Sequence, residues 1–521
     1  MLTKVLLLLT FFSVTLFVGF YFRKRAASVN DFVLGGRNVG PWLSAFSYGA
    51  TYFSAVIFVG FAGQFGWRFG TAAVWIGLGN AFIGSLMAWF ILGRRTRIMT
   101  IHLKSATMPE FFGSRYESPA LKIGASIIVF IFLIPYTASL YNGLSRLFAM
   151  AFNVPFEYCI WAMGIITAIF VVAGGYFATA VNDFIQGTIQ LLGIVAVIAV
   201  VLSQNGGLTS AIAKLAEVSA TDAAGPLANS PGVFTSFFGP DPVTLVGVII
   251  LTSLGTWGLP QMVARFYSIK SEKMINKGAI VSTIFAVFVA GGCYFLGSFG
   301  RLYAHNDIYN QNGGVIFDAI IPSILSGMSE VMIGVVIVLV FAASISTLSS
   351  LVMTSASTLT LDFLKGHVIK NMGDKKQLLI IRALIVVFII ISSVIAIVQY
   401  SGGITFIAQL MGISWGALAG SFLAPFLYGL YWKRVSKISV WCCFVFSTAL
   451  MVLNILFRGA FPAILQSPIN AGAFTMLAGL IIVPVVSMFT KTPGIDHVEN
   501  CFSCYDEMVS VRVRDDLGNG V

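Results

Sequence analysis

Charge is what this chain has least of. Only 10% of its 521 residues are Asp, Glu, Lys or Arg, against 58% that are apolar. A soluble protein of this length carries about a quarter charged residues, so a sizeable soluble domain is excluded. Histidine is scarce too. His102, His305, His367 and His497 show no spacing that suits a nucleophile's base or a zinc ligand, so no catalytic constellation is visible and an enzyme is not expected. The six cysteines give no disulfide framework. Cys159, Cys293, Cys442 and Cys443 lie in apolar stretches, where cysteine behaves as a small hydrophobe. Cys501 and Cys504 form a C-x-x-C near His497, but a structural zinc site takes four ligands and there is no second pair.

What is present is a succession of apolar runs of about twenty residues, each long enough to cross a bilayer as a helix. The expected fold class is an all-α polytopic membrane protein with thirteen spans. They fall near 2–22, 41–66, 70–93, 123–151, 156–176, 182–203, 241–264, 279–303, 328–364, 378–400, 403–431, 439–457 and 472–490. The first run lacks a small-x-small cleavage site and stops at Arg23-Lys24-Arg25, so it reads as a retained helix rather than a signal peptide. The net charge of +11 does not point to nucleic acid. Of the 31 lysines and arginines, 25 fall in the segments 23–40, 94–122, 265–278, 365–382, 432–438 and the tail from 491, alternate loops that this bias places inside. The N-terminus is then outside, the C-terminus cytoplasmic, and the basic face meets anionic lipid of the plasma (inner) membrane. Segments 204–240 and 304–327 read as outer loops, and the tail after Pro493 as polar and unstructured.

After residues 1–22, two sets of five spans can be compared, 41–203 and 241–431, followed by two further spans in 439–490 and the tail 491–521. The first span of each set is interrupted at a corresponding place: Gly49-Ala50-Thr51-Tyr52-Phe53-Ser54 and Gly255-Thr256-Trp257-Gly258-Leu259-Pro260. Glycine frees the backbone and proline removes a donor, so both can open in mid-membrane. Paired interrupted spans point to the binding site of a secondary transporter, although ordinary kinks give the same pattern.

The ninth span carries FAASISTLSSLVMTSAS from Phe341 to Ser357. Ala343, Ser346, Thr347, Ser350, Thr354 and Ser357 share one helical stripe, with Ser349 at its edge. Neutral hydroxyls at lipid depth suit a small hard cation shedding water; they also suit close helix packing with back-bonding to i−4 carbonyls.

Six stretches in this order resemble the sodium/solute symporters, which include bacterial proline and sialic acid carriers and the sodium/glucose cotransporters. They are DFVLGGRNVGPW (31–42), TMPEFFGSRY (107–116), GGYFATAVNDFIQG (174–187), GTWGLPQMVARF (255–266), AASISTLSS (342–350) and FLYGLYWKR (426–434). The resemblance implies the inverted five-helix-repeat fold first seen in a bacterial leucine transporter. It further implies a principal sodium site from the carbonyls of Ala50, Phe53 and Ala343 and the hydroxyls of Ser346 and Thr347. A second sodium at Asp183, Ser346, Ser349 and Ser350 is the matching expectation from some members. Asp183 has a plain alternative as the start of a capping box with Gln186 at the opening of a span.

Candidate solute contacts are Tyr52, Ser54, Tyr136, Thr252, Thr256, Trp257 and Gln409; Arg146 could pair a carboxylate or simply snorkel. Proline carriers of the family show an aspartate where this chain has Tyr52, and a tryptophan and a tyrosine where it has Thr252 and Thr256. Those departures count against proline itself. The expectation is a monomeric, sodium-coupled symporter of a small organic solute, with a carboxylate, amino acid or sialic acid favoured. Sodium/sugar symport and proton coupling through Asp183 are the alternatives.

Overall fold

The computed structural model describes residues 2–152, 154–220, 222–304, 308–309, 313–369, 371–402 and 407–505. His305 and the side chain of Arg146 lie outside them. Among the described residues the chain is helical, with three isolated bridges and no strand. Ten helices are long and apolar enough to span a membrane, or eleven when the bent pair Pro242–Gly258 and Pro260–Tyr267 is taken as one.

Helix starts follow local chemistry. Ser329, Asp241, Thr107 and Ser436 each cap a first turn through their side-chain oxygen. Two apolar stretches, Val56–His102 and Glu157–Gln204, have 47 and 48 residues. Neither is a single straight rod. The first turns at Gly70 (φ 60°) and the second at Gly175 (φ 60°, ψ −161°). A Cβ on Gly175 would lie 2.9 Å from the Phe32 ring, in a backbone region that other residues avoid.

Burial orders the helices. The most apolar window of Ile407–Tyr431 is 94% buried and that of Glu330–Lys365 78%, whereas that of Leu2–Arg25 is 28% buried. The hydroxyl-rich helix Glu330–Thr358 is therefore central and the N-terminal helix Leu2–Tyr21 peripheral. Side chains such as Phe17, Leu192, Leu379 and Ile481 face outward, as a lipid-facing belt requires. Close backbone contact holds the middle together: a Cβ on Gly66 would sit 2.2 Å from Gly297 O.

Two of the loops carry short helices, and one expectation needs correction. The segment 204–240 contains the helix Leu208–Ala216, and 304–327 contains Ile320–Ser326. The tail is not unstructured after Pro493: residues 495–505 form a helix. It buries Val498, Cys501, Phe502 and Cys504. Its ring atoms hold two arginines, Phe502 lying 5.0 Å from Arg115 and Tyr505 4.6 Å from Arg95.

Candidate functional site

Both interruptions are present and both are shorter than the six-residue stretches anticipated. Helix Pro41–Tyr52 ends at Phe53, which is extended (φ −102°, ψ 94°). Ser54 starts the next segment: its Oγ accepts from Val56 N–H at 3.3 Å, and its carbonyl accepts from Ile57 and Phe58 at 3.0 Å. The second interruption is Leu259 alone (φ −83°, ψ 120°), followed by Pro260, and the helices on either side meet at 46°.

The first break lies against helix Glu330–Thr358. Thr347 Oγ1 is 3.0 Å from Thr51 O, 3.4 Å from Ala50 O and 3.2 Å from Ala343 O. All four residues are buried. A hydroxyl has one proton to donate, so it satisfies one of the three carbonyls at a time. The other two remain as acceptors aimed at the same point, an arrangement that suits a cation binding through oxygen. The extended backbone of Phe53, two residues after Thr51, takes its carbonyl out of the helical ladder. The packing alternative is realised on the same helix: Ser344, Ser349 and Ser350 donate to Val340 O, Ser346 O and Ser346 O at 2.7, 2.8 and 3.2 Å.

Beside the junction lies a buried ion pair. Asp183 Oδ1 accepts from Ser346 Oγ at 2.6 Å and Oδ2 accepts from Ser47 Oγ. Arg265 Nη2 stands 3.2 Å from Asp183 Oδ2, with the two side chains 2% and 0% exposed. The same nitrogen donates to Thr51 Oγ1 at 2.7 Å and to Ser350 Oγ, and the guanidinium lies 5.0 Å from the Tyr176 ring centre. One arginine thus ties together four helices. A cavity of about 30 Å³, bordered by Thr107, Tyr176, Gln261 and Ser357, reaches Arg265 and Ser350. That is room for about two waters.

This arrangement changes three sequence expectations. Asp183 is not a helix cap, because the helix begins at the Gly175 turn and Asp183 lies inside it. The Ser346 hydroxyl donates to a carboxylate, so the hydroxyl stripe borders a charged group as well as neutral oxygens. Arg265 is not one of the surface cations. It escaped notice because it adjoins a basic loop and counts naturally with it; the signal was its place five residues after a helix-breaking Gly-Leu-Pro.

A model of the sodium:solute symporter family matches residues 32–445. The chain belongs to the sodium:solute symporter family. It is 27% identical over 488 residues to the osmoregulated proline transporter OpuE of Bacillus subtilis, covering 93% of this chain and 94% of that one. It is also 27% identical over 503 residues to sodium/proline symporter 2 of Staphylococcus saprophyticus, covering 94% and 93%. A solved structure of a Na+-coupled sialic acid symporter, substrate-bound and outward-open, superposes with a TM-score of 0.72 at 18% identity, covering 94% of this chain and 98% of that one. The protein is accordingly a membrane transporter rather than an enzyme, it works by symport, and sodium is its coupling ion.

The symporter brings together some of the expected solute residues. Tyr52 and Tyr136 flank Trp415, with ring centres 6.3 and 5.8 Å from it, and Tyr52 stacks on Phe53 at 4.3 Å. Trp415 was not anticipated, since one tryptophan in an apolar span reads as packing. Its Nε1 is buried and lies near the Tyr136 hydroxyl without a well-formed hydrogen bond to it. Thr252, Thr256 and Trp257 are otherwise engaged. Thr252 Oγ1 donates to Val248 O at 2.8 Å, Thr256 Oγ1 to Gly84 O at 3.0 Å, and Trp257 Nε1 to Ile83 O at 3.0 Å. Thr256 and Trp257 hold helix Pro242–Gly258 against its neighbour, as Tyr52 does through its hydroxyl to Thr252 O, whereas Thr252 bonds back within its own helix. Gln409 is half-buried and makes no hydrogen bond to the other candidates.

Proposed function

We propose that this symporter imports a small, carboxylate-bearing solute of amino-acid size, with sodium bound by Ala50, Phe53, Ala343, Ser346 and Thr347. The observation that carries the ion site is the convergence of three carbonyls on the Thr347 hydroxyl, drawn from two separate helices. Sodium there links the broken helix to the ninth one. Binding favours the state in which the solute site is formed, and release on the other side lets it open. One charge crossing about 100 mV supplies about 2.3 kcal/mol, and a tenfold sodium gradient adds about 1.4 kcal/mol.

Two features support the solute class. The aromatic cluster of Tyr52, Phe53, Tyr136 and Trp415 is neutral and offers few hydroxyls, which disfavours a sugar. The Trp415 N–H, which has no well-formed hydrogen bond among the described residues, is a donor suited to a carboxylate. Relatives that carry proline make an imino acid the first candidate to test, despite Tyr52, Thr252 and Thr256. Asp183, Ser349 and Ser350 offer a second sodium only when Arg265 releases Asp183, so a second ion and the guanidinium compete.

The topology we adopt has thirteen spans, two inverted sets of five, the N-terminus outside, and a monomeric working unit. Support comes from the two long apolar stretches. Forty-eight helical residues reach about 70 Å, over twice the hydrocarbon core, and each stretch turns at a glycine. A thermal-shift screen of purified protein against amino acids, organic acids, sialic acids and sugars, with and without sodium, tests the proposal. An amino or imino acid should stabilise the protein only with sodium present; a sugar hit, or equal support by potassium or choline, contradicts it.

A further inference from the structure

Gln186 and Gln190 are each about 1% exposed, and neither the amide oxygen nor the amide nitrogen of either has a partner among the described residues. Native proteins satisfy nearly all such groups, and at lipid depth no bulk water compensates. Two adjacent unpaired amides on one helix are therefore a feature to be explained.

Their placement is defined by neighbours. Asp183, Gln186, Gln190 and Gly193 recur at i, i+3, i+7 and i+10, one face of the helix. The two ends of that stripe both lie against helix Glu330–Thr358: Asp183 bonds Ser346 at 2.6 Å, and a Cβ on Gly193 would lie 2.4 Å from Leu339. Gln186 and Gln190 fall between them, level with the stretch from Leu339 to Ser346. That stretch includes Ala342 and Ala343, two small buried residues. Gln186 comes at the level of Ala343, whose carbonyl faces Thr347.

We propose that Gln186 and Gln190 are cation-handling residues. Their amide oxygens replace part of the hydration shell of a sodium ion held in the seam beside the Ala343–Thr347 junction, and their N–H groups orient the accompanying water. This rests on the reading of that junction as the sodium site. Nothing comparable is needed for the solute, whose candidate contacts lie around Trp415.

The test measures sodium half-saturation, by 22Na binding and by the sodium-induced melting shift, in wild type, Gln186→Leu, Gln190→Leu, Gln190→Glu and Thr347→Val. Gln186→Met and Gln190→Met stand in for any leucine variant that fails to fold. The apolar variants should raise sodium half-saturation about tenfold, leave solute affinity at saturating sodium unchanged, and melt no lower than wild type without sodium. Gln190→Glu, which keeps the oxygen, should bind sodium at least as well as wild type. The proposal is overturned if both apolar variants stay within twofold of wild type while Thr347→Val loses sodium binding; the junction would then stand without the ladder. Wild type failing to bind sodium would instead remove the junction itself.

Discussion

Removing either member of the Asp183–Arg265 pair should have opposite consequences for the response to sodium. The pair is 3.2 Å apart and essentially unexposed. Deleting one partner of a buried pair typically costs about 3–5 kcal/mol, because the other charge is left uncompensated. With Asp183→Asn the stranded charge is the guanidinium, and adding sodium cannot neutralise a cation. With Arg265→Gln the stranded charge is a carboxylate that keeps the Ser47 and Ser346 hydroxyls as donors and can take a sodium ion in place of the arginine. Sodium at 100 times its dissociation constant would return about 2.7 kcal/mol. Thermal unfolding in detergent, in sodium against choline chloride, reads this directly. Both variants should melt below wild type in choline; sodium should rescue most of the deficit in Arg265→Gln and none beyond the wild-type shift in Asp183→Asn. Equal sodium responses in the two variants would refute the reasoning.

Further outcomes follow from other parts of the chain. Gly175→Ala forces a side chain into a φ of 60° against Phe32, so a strain of about 1–3 kcal/mol is expected, seen as reduced folded yield in size-exclusion chromatography. Asp222 pairs with Arg301 at 2.8 Å. Partial burial pushes its carboxyl up, but Arg301 and the Trp67 N–H outweigh this and hold it below its ordinary value. Such a group stabilises above the unfolded carboxylate value and loses its contribution as pH falls through the lower folded one. Asp222→Asn should therefore lower the melting temperature slightly at pH 7, by about 1 kcal/mol or less because the carboxylate is 42% exposed, and the difference should shrink below about pH 4. Tyr505→Ala with Phe502→Ala removes the rings over Arg95 and Arg115 and should undock helix 495–505. Site-resolved mass spectrometry should then show buried Cys501 reacting with maleimide at least tenfold faster; an unchanged rate would contradict the docking.

The helical architecture was readable because it depends on long apolar runs. The breaks were readable because Gly and Pro mark them, although the stretches 49–54 and 255–260 overstated lengths that reduce to Phe53–Ser54 and Leu259. The hydroxyl stripe of the ninth span was readable as a periodicity. What escaped was whatever needed a partner from another helix. Arg265 looked like the first residue of a basic loop, and only the fold brings Asp183 and Ser350 to it. Gln186 matched a capping box by spacing, but the turn at Gly175 starts the helix earlier and puts Gln186 on a buried stripe. Thr252, Thr256 and Trp257 have the chemistry of solute contacts, yet their hydrogen bonds go to backbone carbonyls. The helix at 495–505 did carry a signal: Val498, Cys501, Phe502 and Tyr505 recur at i, i+3, i+4 and i+7, a pattern hidden by the polar residues around it.

The central claim is that sodium sits where the broken second span meets Thr347. Equilibrium 22Na binding to purified wild type and Thr347→Val tests it most directly, since the substitution keeps the shape and removes one oxygen. Losing a hydrogen-bonding oxygen to a charged group costs about 1.5–3 kcal/mol, so sodium half-saturation should rise at least tenfold in the variant while the protein stays folded. Saturable sodium binding that is the same in both proteins would contradict the account.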